Sequence, residues 1–259
     1  MTPPSSHTPG RGWGVAGWLL AVVVALVFTG LGRWQLGRMH EKTAMLASLQ
    51  QVLQKRDQGH VASLASAADA ESARDYDWAA GTGRFASTPP LLLDNQVRDG
   101  RPGVRVYRAF LPDAGASLLV ELGWLPLDAQ RRVPVQAVAM PDAGAIRIAG
   151  LLMPPPSSGL AVGDAMRLQK GVWWMTRLDM PAVQQALGSA AGGTLAPRVL
   201  RLDPRSPLGF ARDLDILPNT LPPQRHLGYA VQWFALAAAV LCTAAVVTLT
   251  RRKRRLRHD

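Results

Sequence analysis

Four residues near the end of the chain have the types and spacing to do chemistry together. His226, Tyr229, Ala230 and Trp233 follow the i, i+3, i+4, i+7 rule, so a helix would carry them on one face. An imidazole, a phenol and an indole then line one stripe, with a small alanine leaving room among them. Two uses of such a stripe remain open. One is an interfacial aromatic belt with a histidine at its edge. The other is a site for a flat, amphipathic ligand such as haem, whose iron a neutral imidazole can hold while the rings cover the macrocycle.

The stripe sits at the start of an element that must position it. The 24 residues between His226 and Arg251 carry no formal charge. At about 1.5 Å rise per residue they reach roughly 36 Å, enough for a hydrocarbon core of about 30 Å. Backbone polar groups in lipid must pair within their own segment, so residues 227–250 are expected to be a transmembrane helix. Six of the nine residues of the tail 251–259 are Lys or Arg, which places the tail on the cytoplasmic side and the His226 end in the outer compartment. A second uncharged run, Gly12 to Gly32, lies between Arg11 and Arg33. It is long for a signal peptide and no A-x-A site follows, so residues 13–32 read as a retained helix. Both termini are then cytoplasmic, and residues 1–12, rich in Pro, Ser, Thr and Gly, read as disordered.

The first helix does not obviously stop at the membrane. Good helix formers continue, with Leu36, Met39, Leu46, Leu49 and Leu53 on a partly periodic face, and residues 33–75 read as a helical extension and linker. Trp34 marks the interface, with Arg33 and Arg38 beside it. These cations either snorkel around an anchoring indole or hold ligand carboxylates, such as haem propionates, near His226.

Charge and cysteine content exclude several classes. The net charge of +11 is concentrated at the basic tail, which reads as topology and contact with the lipid bilayer, and no nucleic-acid motif is present. One cysteine, Cys242, lies in the second apolar run; an internal disulfide, a C-x-x-C pair and a C-x-x-C-H haem attachment are excluded. There is no G-x-S-x-G elbow, H-E-x-x-H or P-loop, the five histidines are scattered, and Asp213 and Asp215 read as solvating a linker. The chain is therefore not expected to be an enzyme.

Between the apolar runs the texture changes. From Tyr76 onward come short runs rich in β-branched and aromatic residues, D-W-A-A-G-T-G-R-F, L-L-L-D-N-Q-V, V-R-V-Y-R-A-F-L and S-L-L-V-E-L-G-W-L-P-L, separated by Pro, Gly, Asp and Asn turns. Later runs are A-I-R-I-A-G-L-L-M, V-W-W-M-T-R-L and R-V-L-R-L. Met180 to Leu187 reads as a short helix capped by Asp179, with Pro181 in its first turn. The expectation is an α+β membrane protein: two transmembrane helices flanking an extracytoplasmic, mainly antiparallel β domain at 76–203, a barrel or sandwich of six to seven strands. Residues 204–226, Pro-rich, read as an extended linker.

These residues carry a resemblance over nearly the whole chain. L-G-x-W-Q-L-x-R at Leu31 to Arg38, L-D-N at Leu93 to Asn95, P-G at Pro102 and Gly103, G-W-x-P at Gly123 to Pro126 and H-L-x-Y-A-x-x-W-F at His226 to Phe234 occur in order between two apolar helices. The chain resembles the surfeit locus protein 1 (Shy/surfeit) family of cytochrome c oxidase assembly factors. The resemblance implies a chaperone-like, non-catalytic factor of the respiratory chain in a bacterial-type inner membrane, with its main domain periplasmic. It implies transient binding of haem a, delivery to cytochrome c oxidase subunit I, and haem a synthase as a further partner. It places the family's haem-contacting histidine on His226 and its neighbouring aromatics on Tyr229 and Trp233, with Trp34 and Arg38 in the first-helix motif. Where the family commonly has N-R-G-W, this chain has E-L-G-W at Glu121 to Trp124, so no role is transferred to that strand arginine. The alternative is a protein-only scaffold that binds subunit I or haem a synthase and never touches haem.

Overall fold

The computed structural model describes residues 12–133, 144–156, 163–217 and 221–257. The expectations for the first eleven residues, and for His258 in the tail, lie outside them. The chain divides into two units, Met1–Leu46 with Thr220–Asp259, and Ala47–Asn219.

Helix α1, Gly12–Asp57, is continuous over 46 residues. At about 1.5 Å per residue this is roughly 69 Å, so α1 outruns a hydrocarbon core by a wide margin. Its composition explains the continuity: no proline interrupts it, and good helix formers follow the apolar run. The last helix of the chain, Pro223–Arg255, begins with a proline in its first turn, where the missing N–H costs nothing. Both helices are long and apolar enough to cross a membrane.

The second unit is built on a sheet. Its strands are β1 Ala62–Ser63, β2 Asp77–Phe85, β3 Leu91–Arg98, β4 Arg101–Pro112, β5 Ser117–Pro126, β6 Ile146–Met153, β7 Met166–Gln169, β8 Val172–Met175 and β9 Leu195–Leu202. Their order is β1-β2-β6-β9-β5-β4-β3-β8-β7, and β2 also pairs with β4 through Gly83–Pro112, Arg84–Leu111 and Phe85–Phe110. That last pairing closes β2, β6, β9, β5 and β4 into a ring, with β3, β8 and β7 continuing from β4. The architecture is therefore barrel-like. Pairing is mainly antiparallel, with β1 on β2, β8 on β3 and β9 on β5 parallel.

Alternation along β5 shows how the sequence divides its burial. Leu118, Val120 and Leu122 join one apolar cluster with Leu92, Val106, Phe110 and Leu200, while Leu119 joins another with Tyr107, Leu151 and Val199. Both faces are covered, which is why β5 reads as a nearly continuous apolar run. The second cluster is also closed by Leu49 and Val52 of α1 and by Val183 and Leu187 of the short helix α2, Met180–Leu187. Asp179 caps α2 by accepting the Ala182 N–H, as its sequence requires. The remaining helix, Pro223–Arg255, is α3.

Two features differ from the sequence expectation. The sheet has nine strands among the described residues rather than six to seven: a two-residue turn at Lys170 and Gly171, both with positive φ, folds β7 back on β8, and the short β1, in the stretch read as linker, pairs with β2. The segment following β9 is not a free linker. The Phe210 N–H donates to the Leu122 carbonyl and the Trp124 N–H to the Ala211 carbonyl, each at 2.8 Å, so the segment is stitched to β5.

Candidate functional site

In the first unit, α1 and α3 run antiparallel and touch along their length. Trp18 Nε1 donates to Thr248 Oγ1 at 2.9 Å, the rings of Phe28 and Trp233 lie 5.4 Å apart, and Lys42 Nζ donates to the Leu221 carbonyl at 2.6 Å. Small residues allow this approach: Ala21, Ala25, Ala230 and Ala237 are all buried. Gly32 is required by its neighbour, since a Cβ there would stand 2.7 Å from Phe234 Cε1.

His226 lies within this pair. Its Nδ1 is 2.7 Å from Gln35 Oε1 of α1. With the amide oxygen facing it, Nδ1 is favoured as the protonated nitrogen, which would leave Nε2 its lone pair. The residue is only 8% exposed, and Nε2 has no hydrogen-bond partner among the described residues. Thr88 Oγ1 and the Nε atoms of Arg198 and Arg201 share that condition, but of these atoms the imidazole nitrogen is the one suited to ligate a metal.

The sequence-derived site residues are not all brought together. Beyond Pro223 in its first turn, the buried positions described on α3 are His226, Ala230 and Ala237, with Trp233 half-buried between them. Successive steps of four, three and four turn this face toward α1. Tyr229 lies off it and is 38% exposed. On α1, Gln35 meets the imidazole, while Trp34 next to it is 59% exposed. Arg33 is exposed, and Arg38 pairs with Glu41 of its own helix at 2.6 Å, also exposed.

The second unit holds a different polar centre, which the sequence did not point to. Glu121 of β5 is buried, with Arg105 Nη1 of β4 at 2.7 Å and Arg201 Nε of β9 at 3.0 Å. Tyr107 donates its O–H to the same carboxylate at 3.0 Å. Burial, then the Glu121 charge, pushes the Tyr107 phenol well above its ordinary range. Burial works against the Arg201 cation, but Glu121, Tyr107 and Asp213 together outweigh it and raise the guanidinium. Glu121 and Arg105 border a cleft of about 180 Å³ lined also by Arg98, Trp124, Arg212 and Asp213. Its cations are answered from within the protein: Arg98 by Asp213 at 3.2 Å, and Arg212 by the carbonyls of Asp203, Leu122 and Phe210. Asp213 thus anchors its segment rather than solvating it. Among the described residues, no three His, Cys, Asp or Glu side chains converge as a protein-ligated metal would need.

The model of the SURF1 family matches residues 22–238, which takes in most of α1, the whole sheet and the His226 end of α3. The chain belongs to the SURF1 family. It is also 28% identical over 254 residues to a SURF1-like protein of Monosiga brevicollis, covering 94% of this chain and 90% of that one. The SURF1 family is one of cytochrome oxidase assembly factors, and catalysis is not its business.

Within this SURF1-family chain, Gln35 is the site residue that reasoning from types and spacing passed over. A signal existed, because Gln35 stands inside the L-G-x-W-Q-L-x-R run beside Trp34. Glutamine has no titration and no metal chemistry of its own, so only its partner reveals its place.

Proposed function

We propose that this SURF1-family protein is a membrane-anchored assembly factor that binds haem a at His226 and aids its delivery to subunit I of cytochrome c oxidase. One observation carries the reading: a buried imidazole whose Nδ1 is engaged by Gln35 and whose Nε2 lone pair has no protein partner among the described residues. That is the state in which histidine ligates a metal. When bound, haem would supply an iron for that nitrogen to hold. With no cluster of protein ligands among the described residues, a single imidazole suits a metal already held by its own macrocycle.

Other residues have subsidiary parts in this reading. Trp233, packed on Phe28, offers a ring on the His226 side of α3, and Tyr229 and Trp34 offer theirs on the outward side. Arg33 is exposed and open to a propionate; Arg38 would exchange Glu41 for one. A single protein ligand suits a cofactor held transiently. In this reading both termini are cytoplasmic and the sheet-bearing unit is periplasmic in a bacterial-type inner membrane, an orientation that the basic end of α3 supports.

A second reading, the protein-only scaffold, draws support from the sheet. The outer edge of β7 is unpaired among the described residues and Leu168 on it is 55% exposed, as a strand that pairs with subunit I or haem a synthase would be. Titration of the purified full-length protein with haem a separates the two. Wild type is expected to bind with a spectrum of histidine-ligated haem, and His226→Ala to lose that spectrum. Identical spectra and affinity for both proteins would remove His226 as the ligand, and no uptake by either would favour the scaffold.

A further inference from the structure

Resting on the haem reading of His226, we infer that Gln35 is a positioning residue that selects the imidazole tautomer able to bind iron. An imidazole in a buried site has two neutral forms, and only the form protonated at Nδ1 presents a free lone pair at Nε2. The choice is made by whatever faces Nδ1. Here that group is the Gln35 carbonyl oxygen, at 2.7 Å and from the opposite helix. An oxygen facing Nδ1 rewards the proton there and leaves Nε2 as a bare acceptor. With the proton on Nε2 instead, the Gln35 amide would have to turn its NH₂ toward Nδ1, and a buried Nε2–H would have no acceptor among the described residues.

Position explains why glutamine suits the task. Gln35 and His226 are 191 residues apart in sequence, so the bond exists only when α1 and α3 are paired. The ring is thereby fixed in both tautomer and orientation by the same contact. Second-shell partners of ligating histidines act this way through a carbonyl or carboxylate on the other nitrogen. An amide does so without adding a charge to an apolar helix pair. Gln35 also links the readiness of the site to helix pairing, since a separated α1 leaves the tautomer unbiased.

The test reads the tautomer directly and without haem. Full-length protein carrying ¹⁵N-histidine, in nanodiscs, is examined by NMR, with the His226 signals assigned by their loss in His226→Ala. Wild type is expected to show Nδ1 protonated and Nε2 bare. Gln35→Leu is expected to lose that preference, and Gln35→Glu, which keeps an oxygen facing Nδ1, to retain it. In haem a titrations Gln35→Leu should bind about 10- to 100-fold more weakly. In the ferrous complex Gln35→Glu should raise the iron–histidine stretching frequency above wild type, because a carboxylate makes the imidazole a stronger donor. A wild-type His226 protonated at Nε2, or a tautomer unchanged in Gln35→Leu, overturns the role of Gln35 whatever haem does. Haem binding unaffected by His226→Ala defeats the haem reading itself, and is seen separately from the tautomer.

Discussion

The two units bury polar groups in opposite ways. In the sheet unit, Glu121 meets Arg105, Arg201 and Tyr107, and Arg201 also donates to the Asp215 carbonyl. Each charge is answered by another part of the same unit, so the cluster has little left to offer a ligand. In the helix pair, His226 is buried with one ring nitrogen answered and the other not. This charge-paired network, in which Arg201 Nε itself makes no hydrogen bond, ties β4, β5, β9 and the segment after β9 together. An unsaturated nitrogen is a binding capacity held ready. On the haem reading proposed above, the contrast is between a polar group that serves the fold and one that would serve a ligand.

The comparison is broken most forcefully at Glu121. Glu121→Leu leaves two buried guanidinium groups facing each other and is expected to destabilise the sheet unit by about 3–5 kcal/mol. His226→Leu, in contrast, removes an unsatisfied nitrogen and one neutral hydrogen bond, and should change stability by no more than about 1 kcal/mol. Denaturant titrations of the two variants in one detergent check this. Equal losses would mean that both residues are structural.

A smaller effect sharpens the account of the charge-paired side. Tyr107→Phe removes a hydrogen bond to a charged carboxylate, expected to cost about 1.5–3 kcal/mol at neutral pH. Its pH dependence has a definite sign. The folded phenol ionises well above the usual 10.0, so the unfolded chain gives up that proton first. The corresponding stabilisation is complete below pH 10.0 and falls as pH rises beyond it toward the folded value. Unfolding curves at pH 9 and pH 11 should therefore differ less for Tyr107→Phe than for wild type. An equally steep alkaline loss in both would show that the phenol is not held protonated.

Much of the fold is legible in the sequence because it rests on local chemistry. Two long uncharged runs read as helices, Asp179 and Pro181 mark α2, and β2 runs over the same D-W-A-A-G-T-G-R-F that the alternation and turns pick out. What is harder to read depends on distant partners. β7 is hidden because its turn needs positive φ at Lys170, a residue that does not announce it. The closing of the ring by β2 on β4 rests on three pairs that no local pattern encodes. At the site, His226 is conspicuous by type, but the face it shares with Ala230 and Ala237 is fixed only by the approach of α1. Gln35 and Glu121 acquire their meaning from residues 191 and 80 positions away, the latter being Arg201. Side-chain type shows where chemistry can happen; pairing decides which lone pair is left over.

The most direct test of that leftover lone pair is chemical replacement of the ring. Full-length protein and His226→Gly are each loaded with haem a, reduced, and compared by resonance Raman spectroscopy before and after adding free imidazole. The expected result is an iron–histidine stretch in wild type, none in His226→Gly, and its return when imidazole fills the space. The same line in His226→Gly without imidazole would show that another residue holds the iron, and would contradict the account.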